Sequence, residues 1–463
     1  MVTATFFKNW SLVAVKVCRF FIVCVALACP LIAAAPKAYA QGRMHFIRDT
    51  EIENTVRVYV APLFEAAGLD PNAVSILLVN DHNMNAFVAG GQKIFIHTGL
   101  LTRAESPGQV IGVLAHEIGH IAGGHLSQKK RKLENATAQS IIGTVLGGVI
   151  AVASNKPQGL IVGQAAGAAL AQRSFLAYNR SMEQSADQAA LKYLEATKQS
   201  AQGLYDFLTL LREQERIYSK GGNPYLRSHP MSEDRLRLVA EHLRNSRYTG
   251  TPTSDVLQSM HNRMRGKLKG FINSPDRTLR EFSINSTDFG ARMARAIALS
   301  KKQEADAAID IVDDLIASSP KDPFLYDLKG DLLVDAGHTQ DAVEPYQKAI
   351  SILPWAALIK VSLAQIQLEN SNIESQVRLA RQNLKDALHY EPELTNAWRF
   401  LATAEGRLGN SGAASLALAE EALLRGKKTR ALDLAKRAIK ILPKGSPGWF
   451  RAQDIESATS KSE

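Results

Sequence analysis

Residues 110–120 read VIGVLAHEIGH, and they end in the pattern H-E-x-x-H. Pro107, just before this stretch, is a favoured first residue of a helix. On such a helix His116 and His120 lie one turn apart on the same face, so both imidazoles can reach one metal ion. Glu117 sits beside that face, where it can hold water that a zinc ion acidifies and take its proton. The preceding residues are too apolar for a solvated surface helix, which favours a buried metal-binding helix from Pro107 through His120.

A catalytic zinc site needs a third protein ligand. The extended pattern H-E-x-x-H-x-x-G-x-x-H accommodates Gly123 but requires a histidine where the chain has Leu126. His125 comes one residue early, which turns its side chain by about 100° around a continuing helix. A later helix offers Glu183 and Asp187 on one face, so that Glu183 binds the metal and Asp187 accepts a hydrogen bond from a ligand imidazole. An ordinary solvated pair of acids is the simpler interpretation, and the need for a ligand favours the metal site.

Two short strands are predicted upstream of this helix. Residues 73–79 are rich in Val, Ile and Leu, and residues 93–97 place Ile94 and Ile96 on one face. The segment NAFVAGG at residues 85–91 lies between them, and its glycine pair leads into the second strand. A small sheet among many helical patterns predicts an α+β fold that is mostly helical.

Helical patterns surround the strands. Thr50-x-x-Glu53 is a capping box, and it is followed by apolar residues at helical spacing: Ile52, Val56, Val60 and Leu63. Residues 174–196 are predicted to form one long helix. Residues 141–171 are almost uncharged and rich in Gly and Ala, and each half is too short to cross a bilayer as a helix. We interpret this segment as a tightly packed helical hairpin, with a mobile lid or membrane-facing element over a cleft as the alternative.

The first forty residues have the features of a secretory signal. Lys16 and Arg19 precede an apolar run over residues 20–35, and Ala38-Tyr39-Ala40 is the small-residue pattern that a signal peptidase recognises. We expect cleavage after Ala40 and export to the bacterial periplasm. An uncleaved anchor would be short for a membrane span, and a lipoprotein signal at Cys29 fits the sequence poorly.

Cysteine and charge content exclude several classes of function. All three cysteines lie within the signal, so the exported chain has no disulfide framework, no cysteine zinc site and no cysteine nucleophile. The net charge of +10 falls to +6 without the signal, where 51 basic residues stand against 45 acidic ones. This excess is weak evidence for nucleic-acid binding, so no nucleic-acid partner is expected.

The last third of the chain repeats an Ala- and Leu-rich helical pattern. Pro320 and Pro354 are 34 residues apart, and each follows a similar ladder of small and apolar residues: Ala308, Val312 and Leu315, then Ala342, Tyr346 and Ala349. Gly330 lies where paired helices need a small residue. We predict a tetratricopeptide-repeat solenoid with a concave binding face over residues 287–445, followed by a polar tail over 446–463. A helical linker over 247–286 precedes it and contains a helix from Asp255 to Ile272, capped by Ser254.

These motifs resemble the gluzincin zinc metallopeptidases of the HtpX-like and CAAX-prenyl-protease-like family. The resemblance rests on the pattern at 116–120, on Glu183-x-x-x-Asp187 and on upstream residues 85–87, 90–91 and 99–101, and it covers about residues 45–245. With the signal and the repeats, the chain is similar to the periplasmic group of this family that enhances beta-barrel assembly. The resemblance implies one zinc ion per chain, with His116, His120 and Glu183 as ligands and Glu117 as the general base.

The resemblance implies further site residues. His229, followed by Pro230, is expected near the zinc, where it either donates a hydrogen bond to the oxyanion or closes the fourth coordination position. An ordinary loop histidine is the alternative. Arg235 corresponds to the family's usual arginine and is expected to support the ligands. An edge strand is implied to bind an extended peptide by strand addition, and here that strand is 93–97. The expected substrate contacts are Asn85, Phe87, Lys93, Ile94, Phe95 and Ile96.

Two functions of different classes follow. The first is a zinc endopeptidase of the periplasm, optionally attached to the outer membrane, that degrades or helps to assemble misfolded or stalled outer-membrane beta-barrel proteins. Its metallopeptidase domain spans 41–246, and its repeats are expected to choose clients and to contact the beta-barrel assembly machinery. The second is a repeat-based chaperone or assembly factor whose metal site is latent because His229 closes it.

Overall fold

A small mixed sheet organises the N-terminal half. The computed structural model describes residues 44–71, 73–128, 131, 178–217, 225, 229–369 and 373–460, with the backbone alone for 214–217. The strands are β1 (Phe46–Ile47), β2 (Ser75–Val79), β3 (Ala86–Ala89) and β4 (Lys93–His97), in the order β1-β2-β4-β3. β2 and β4 run parallel, and the other two pairs are antiparallel. The signal, residues 174–177 and the segment 141–171 lie outside the described residues.

The strand order corrects one expectation from the sequence. The prediction that 93–97 is an edge strand is wrong, because β4 pairs with β2 on one side and with β3 on the other. β3 precedes β4 in the chain and folds back outside it through Gly90 and Gly91, which both have positive φ. β3 is therefore the edge strand on this side of the sheet among the described residues. A local sequence pattern does not reveal which strand of a hairpin lies outermost.

Alternate side chains of β4 face opposite sides of the sheet. Ile94 and Ile96 are fully buried in the core with the helices. Phe95 lies on the other face and stacks on Phe87, with ring centroids 4.9 Å apart. The core therefore encloses the Ile94 and Ile96 side chains, and β4, paired on both sides, has no free edge for the predicted main-chain contacts of these residues with substrate.

One helix lies at the centre of the helical layer on this sheet. The longer described helices of the N-terminal half are α1 (Thr50–Ala67), α2 (Thr98–Arg103), α3 (Pro107–Ala122), α4 (178–196), α5 (Gln202–Ile217) and α6 (Glu233–Asn245), and a helical turn over 125–128 follows α3. α3 is buried almost all round, as its apolar sequence predicts. Its Gly112 permits a close crossing with α5, since a Cβ there would lie 2.7 Å from Cβ of Leu204. No described helix is both long and apolar enough to span a membrane.

The start of α1 differs slightly from the predicted capping box. Asp49, not Thr50, is the N-cap, and its carboxylate accepts a hydrogen bond of 2.9 Å from the backbone N–H of Ile52. Glu53 accepts a hydrogen bond of 3.2 Å from the backbone N–H of Asp49, so the reciprocal contact is made one residue earlier than the pattern suggests. The predicted apolar positions all enter the core: Ile52, Val56, Val60 and Leu63.

Paired helices continue to the end of the chain. They are α7 (Asp255–Ile272), α8 (Pro275–Glu281), α9 (Phe289–Lys301), α10 (Ala305–Ser318), α11 (Pro323–Asp335), α12 (Val343–Ile352), α13 (Ala357–Glu369), α14 (Glu374–Tyr390), α15 (Thr395–Arg407), α16 (Ser411–Leu424), α17 (Lys428–Ile441) and α18 (Pro447–Ser460). Gly330 lies beneath the Tyr346 ring, where a Cβ would come within 2.6 Å of the ring. The predicted polar tail is wrong in its described part, because α18 buries Ala452 and Ile455 against the preceding helices.

The helix in the predicted linker joins the two halves directly. α7 spans the predicted residues and is capped by Ser254, and its Met264 and Leu268 belong to the core beneath the sheet. Arg263 pairs with Glu51 at the start of α1 and with Asp322 at the start of α11. Lys267 is fully buried, and its Nζ lies 2.8 Å from Asp49 and 3.4 Å from Glu51.

Lys267→Met is expected to lower the free energy of unfolding by about 3–5 kcal/mol, because Asp49 loses this buried cation and Glu51 keeps only its pair with Arg263. Burial alone would lower the pKa of Lys267, but Asp49 and Glu51 outweigh it and hold the pKa above its usual value. Urea unfolding followed by circular dichroism measures the effect. Lys269→Met on the same helix is the control, since its pair with Glu281 is partly exposed and is expected to contribute at most about 1 kcal/mol. Equal losses in the two variants would contradict a special role for Lys267.

Candidate metal centre

Helix α3 supplies two imidazoles that point at one position. His116 and His120 are both buried, and their Nε2 atoms lie 3.0 Å apart. They are one helical turn apart, and the burial of nearly the whole of α3 holds both rings inside the protein. The predicted juxtaposition of these two side chains is present in the fold.

Helix α4 brings a carboxylate to the same position. Oε2 of Glu183 lies 3.3 Å from Nε2 of His116, and Oε1 lies 3.5 Å from Nε2 of His120. The two helices can approach because residue 119 is glycine. A Cβ on Gly119 would lie 2.9 Å from the carbonyl oxygen of Ala186, one turn along α4 from Glu183. The glycine inside the H-E-x-x-H pattern therefore sets the distance between the helices that carry the three side chains.

A fourth side chain, His229, completes the cluster. Its Nδ1 lies 3.3 Å from Nε2 of His116 and 3.1 Å and 3.2 Å from the two carboxylate oxygens of Glu183. One ligand atom from each of His116, His120, Glu183 and His229 lies within 4.8 Å of the others. The Tyr225 ring packs beside His229 with centroids 4.6 Å apart, and this tyrosine had no signal in the sequence.

The donor set fits a tetrahedral cation. Ligands at about 2.0–2.1 Å from a tetrahedral zinc lie about 3.3–3.4 Å from each other, which matches the spacing of 3.0–3.5 Å among the first three side chains. Burial lowers the pKa of His120 to about 3, so its ring is neutral and offers a lone pair. Burial would raise the pKa of Glu183, but His229, His116 and His120 outweigh it and hold the pKa well below its usual range. His120 therefore presents a neutral nitrogen donor, and Glu183 presents anionic oxygen donors.

Asp187 and Arg235 hold the first histidine in place. Oδ1 of Asp187 lies 2.8 Å from Nδ1 of His116, and the Arg235 guanidinium donates hydrogen bonds of 2.6 Å and 2.9 Å to the same carboxylate. Burial would raise the pKa of Asp187, but Arg235 outweighs it and lowers the pKa to about 2. Burial would lower the pKa of His116, but Asp187 outweighs it and raises the pKa to about 9. A cation that binds this ring therefore displaces a proton from it.

Glu117 is buried beside the cluster with its carboxylate uncommitted. Neither oxygen has a hydrogen-bond partner among the described residues, and Oε1 lies 3.4 Å from Nε2 of His229. Burial raises the pKa of Glu117. A buried carboxylate with free lone pairs and a raised pKa is suited to taking and returning a proton.

The structure changes the interpretation of His125, a neighbour of the cluster. His125 was rejected as a ligand because a continuing helix would turn it away, yet α3 ends at Ala122 and Gly124 has a φ of 60°. The chain turns back there, and Nδ1 of His125 lies 2.9 Å from Nδ1 of His120. His125 is thus outside the donor set but in contact with one donor, a role that helical spacing alone could not reveal.

The predicted substrate residues occupy different places in the sheet. β3, with Phe87, packs against α3, while Asn85 precedes β3 and is buried. Lys93 is exposed at the start of β4, and Phe95 faces away from the helical core. Phe87 therefore lies on the edge strand beside the metal-site helix. The other residues predicted to contact substrate lie before this strand or on β4.

Comparisons with known proteins agree with this chemistry. Residues 48–243 match the model of Peptidase family M48. The chain is 26% identical over 376 residues to the Beta-barrel assembly-enhancing protease of Yersinia pestis. The aligned region covers 80% of this chain and 75% of that protein. The protein of the same name from Escherichia coli K12 is 24% identical over 381 residues, with the same coverage. Among solved structures, MamA is 16% identical with a TM-score of 0.28. The aligned region covers 36% of this chain and 92% of the MamA chain, and a TM-score this low does not indicate a shared fold.

Proposed function

We propose that the chain is a metallopeptidase of peptidase family M48, whose model residues 48–243 match, and that it is a zinc-dependent endopeptidase acting on outer-membrane beta-barrel proteins. One observation carries the proposal: donors from α3 and α4 converge at tetrahedral spacing next to a buried carboxylate with free oxygens. The relatives from Yersinia pestis and Escherichia coli are beta-barrel assembly-enhancing proteases, which supports the choice of beta-barrel proteins as clients.

Removal and return of the metal test this proposal. The full chain is treated with a chelator, and cleavage of casein and of an unfolded outer-membrane protein is measured before and after addition of zinc or calcium. We expect cleavage to stop with the chelator and to return with zinc alone. Cleavage that continues undiminished in the chelator would contradict the assignment.

The proposed mechanism divides the chemistry among the residues of the cluster. His116, His120 and Glu183 would hold zinc, which when bound supplies a Lewis acid for the substrate carbonyl and for water. Glu117 takes the proton from the attacking water and then returns it to the leaving amine, because its oxygens have no competing hydrogen bond. Asp187 and Arg235 keep His116 in the tautomer that turns its Nε2 lone pair to the cluster.

The position of His229 favours a latent resting site. Its Nδ1 lies within the donor cluster, and its Nε2 faces Glu117, so the same ring can fill the fourth position and cover the general base. A closed set of four protein ligands is typical of structural zinc sites, whereas a catalytic site keeps one position open. This placement also supports the second candidate, an assembly factor whose peptidase is held shut.

His229→Ala is expected to raise the rate of casein cleavage if the latch operates. A site that is latched in nine molecules of ten would gain about tenfold, since the competent fraction rises from one tenth to nearly all. His242→Ala is the control, because His242 lies on α6 with Glu195 as its neighbour, outside the donor cluster. A fall in activity would instead indicate that His229 assists the oxyanion, and an unchanged rate would count against the latch.

We propose that the substrate adds as a strand to β3 and not to β4. The backbone N–H of His97 donates to the carbonyl of Asn85, which makes these residues a hydrogen-bonded pair. Antiparallel pairs alternate, so Phe87 bonds toward β4 while the backbone groups of Ala86 and Val88 face the edge that no described strand covers. An extended peptide can pair with those groups whatever its sequence, which suits unfolded clients.

Val88→Pro is expected to raise KM for an unfolded client by about 2- to 10-fold, the value of one hydrogen bond. Proline removes an outward N–H and is tolerated on edge strands, but Val88 also belongs to the core, so this variant and the alanine control are both expected to lose some thermal stability. Val88→Ala keeps the N–H and is the control. Equal KM values for the two variants, measured on the same substrate, would contradict binding at this edge.

We also propose that the protein works in the periplasm and that its repeats choose clients and contact the beta-barrel assembly machinery. Large apolar side chains are exposed on the repeats, among them Trp355, Ile373 and Phe450. Photo-cross-linking from these positions in cells would identify the partner. Cross-links to assembly-machinery subunits or barrel precursors support the proposal, and their absence from all three positions contradicts it.

A further inference from the structure

One metal ligand has an orienting partner that the proposed mechanism does not use. His116 is oriented by Asp187, whereas Nδ1 of His120 meets Nδ1 of His125 at 2.9 Å. His125 is buried, with 6% of its surface exposed, and its ring packs against that of His120 with centroids 5.0 Å apart. The two ligand histidines therefore have different partners, a carboxylate for one and an imidazole for the other.

The distance, together with the need for a free lone pair on Nε2 of His120, indicates which nitrogen carries a proton. Two imidazole nitrogens at 2.9 Å make a hydrogen bond only if one donates and the other accepts. His120 must keep its Nε2 lone pair free for a cation, so its Nδ1 carries the proton and donates it. Nδ1 of His125 is then the acceptor. The hydrogen bond selects the His120 tautomer that binds metal.

The local backbone is shaped to hold His125 in this position. α3 ends at Ala122, and the left-handed conformation of Gly124 turns the chain back so that residue 125 faces the preceding helical turn. A Cβ on Gly123 would overlap the His125 ring. Gln128 closes the turn, because its side chain donates a hydrogen bond of 2.8 Å to the carbonyl oxygen of Gly123.

We propose that His125 is a positioning residue for the metal site, and that it fixes the ring and tautomer of His120 by accepting a hydrogen bond from its Nδ1. This inference rests on the proposed function, because it requires His120 to be a metal ligand. It adds a residue that the H-E-x-x-H pattern does not contain. The histidine five residues after the pattern acts through a glycine turn and not through helical spacing.

The test measures zinc affinity and not activity. The dissociation constant of the full chain for zinc is determined by competition with a chromogenic chelator for the wild type, His125→Leu and His125→Asn. Loss of an outer hydrogen-bond partner typically costs 10- to 100-fold in metal affinity, and we expect that loss for His125→Leu. His125→Asn places an oxygen where Nδ1 lies and is expected to stay within about threefold of the wild type, because it preserves the acceptor. His242→Leu is the control for loss of a histidine elsewhere.

Each outcome decides the inference. Wild-type affinity in His125→Leu, or an equal loss in the Leu and Asn variants, would overturn it. If His125→Leu does not fold, Gly123→Ala replaces it, since the added methyl displaces the ring: weaker zinc binding supports the inference and unchanged binding overturns it. A wild type that binds no zinc would overturn the proposed function and this inference together, whereas a zinc-binding wild type with an unaffected Leu variant would overturn this inference alone.

Discussion

Glu117→Gln is expected to lower kcat for peptide cleavage by about 10²- to 10⁴-fold while the chain still binds one zinc ion. The change keeps the size of the side chain but removes the group that takes a proton. Both Glu117 oxygens are buried without a hydrogen-bond partner among the described residues, and Nε2 of His229 lies 3.4 Å from Oε1. The thermal midpoint is therefore expected to remain close to that of the wild type, because the variant loses the contact with His229 but also no longer buries a carboxylate.

The measurement is single-substrate kinetics on casein and on an unfolded outer-membrane protein, with zinc content determined on the same samples. Glu195→Gln provides the control, since Glu195 lies on α4 at the far end of the helix from the donor cluster. Undiminished kcat in Glu117→Gln would refute the assignment of the general base. A loss of zinc in the same variant would show that Glu117 holds the ion and does not act as the base.

Glu183→Gln is expected to weaken zinc binding by more than about 100-fold and to abolish activity. Loss of a residue that only hydrogen-bonds to a metal ligand typically costs about 10- to 100-fold in metal affinity, and loss of a ligand is expected to cost more. The variant loses the only anion among the four clustered donors and leaves His116 and His120 as ligands on one helix. His229 contacts the same carboxylate, so the loss also frees the ring that covers the site. Zinc content after dialysis and calorimetric titration with zinc measure the change.

Gln184→Ala is the matched control for this second variant, because Gln184 is the next residue on α4 and is exposed. Together the two glutamate variants separate the roles. Glu117→Gln is expected to keep zinc and lose catalysis, and Glu183→Gln to lose both. Wild-type zinc affinity in Glu183→Gln would show that Glu183 is not a zinc ligand. The proposal that donors from α3 and α4 bind one zinc ion would then be wrong.

The metal-site helix was predictable because its signals are local. Helical periodicity, Pro107 at the start and the four-residue spacing of two histidines are all contained in residues 107–120, and α3 spans Pro107–Ala122. The helix from Asp255 to Ile272 was predictable for the same reason, since a serine cap and an amphipathic pattern lie side by side. Such signals do not depend on what the element packs against.

The errors arose where the answer depends on distant parts of the chain. The order of β3 and β4 is set by pairing with β2, so the sequence of 85–97 alone could not show which strand lies at the edge. The final helix looked like a polar tail because its buried face is narrow and its partner is α17. His125 was judged by helical geometry that ends at the Gly123–Gly124 turn.

The most direct test of the account is a crystal structure of the zinc-loaded chain with an anomalous difference map recorded at the zinc edge. The account predicts one peak at about 2.0–2.2 Å from Nε2 of His116, Nε2 of His120 and a carboxylate oxygen of Glu183. A peak bonded to other side chains, or a map with no peak at this cluster, would contradict it.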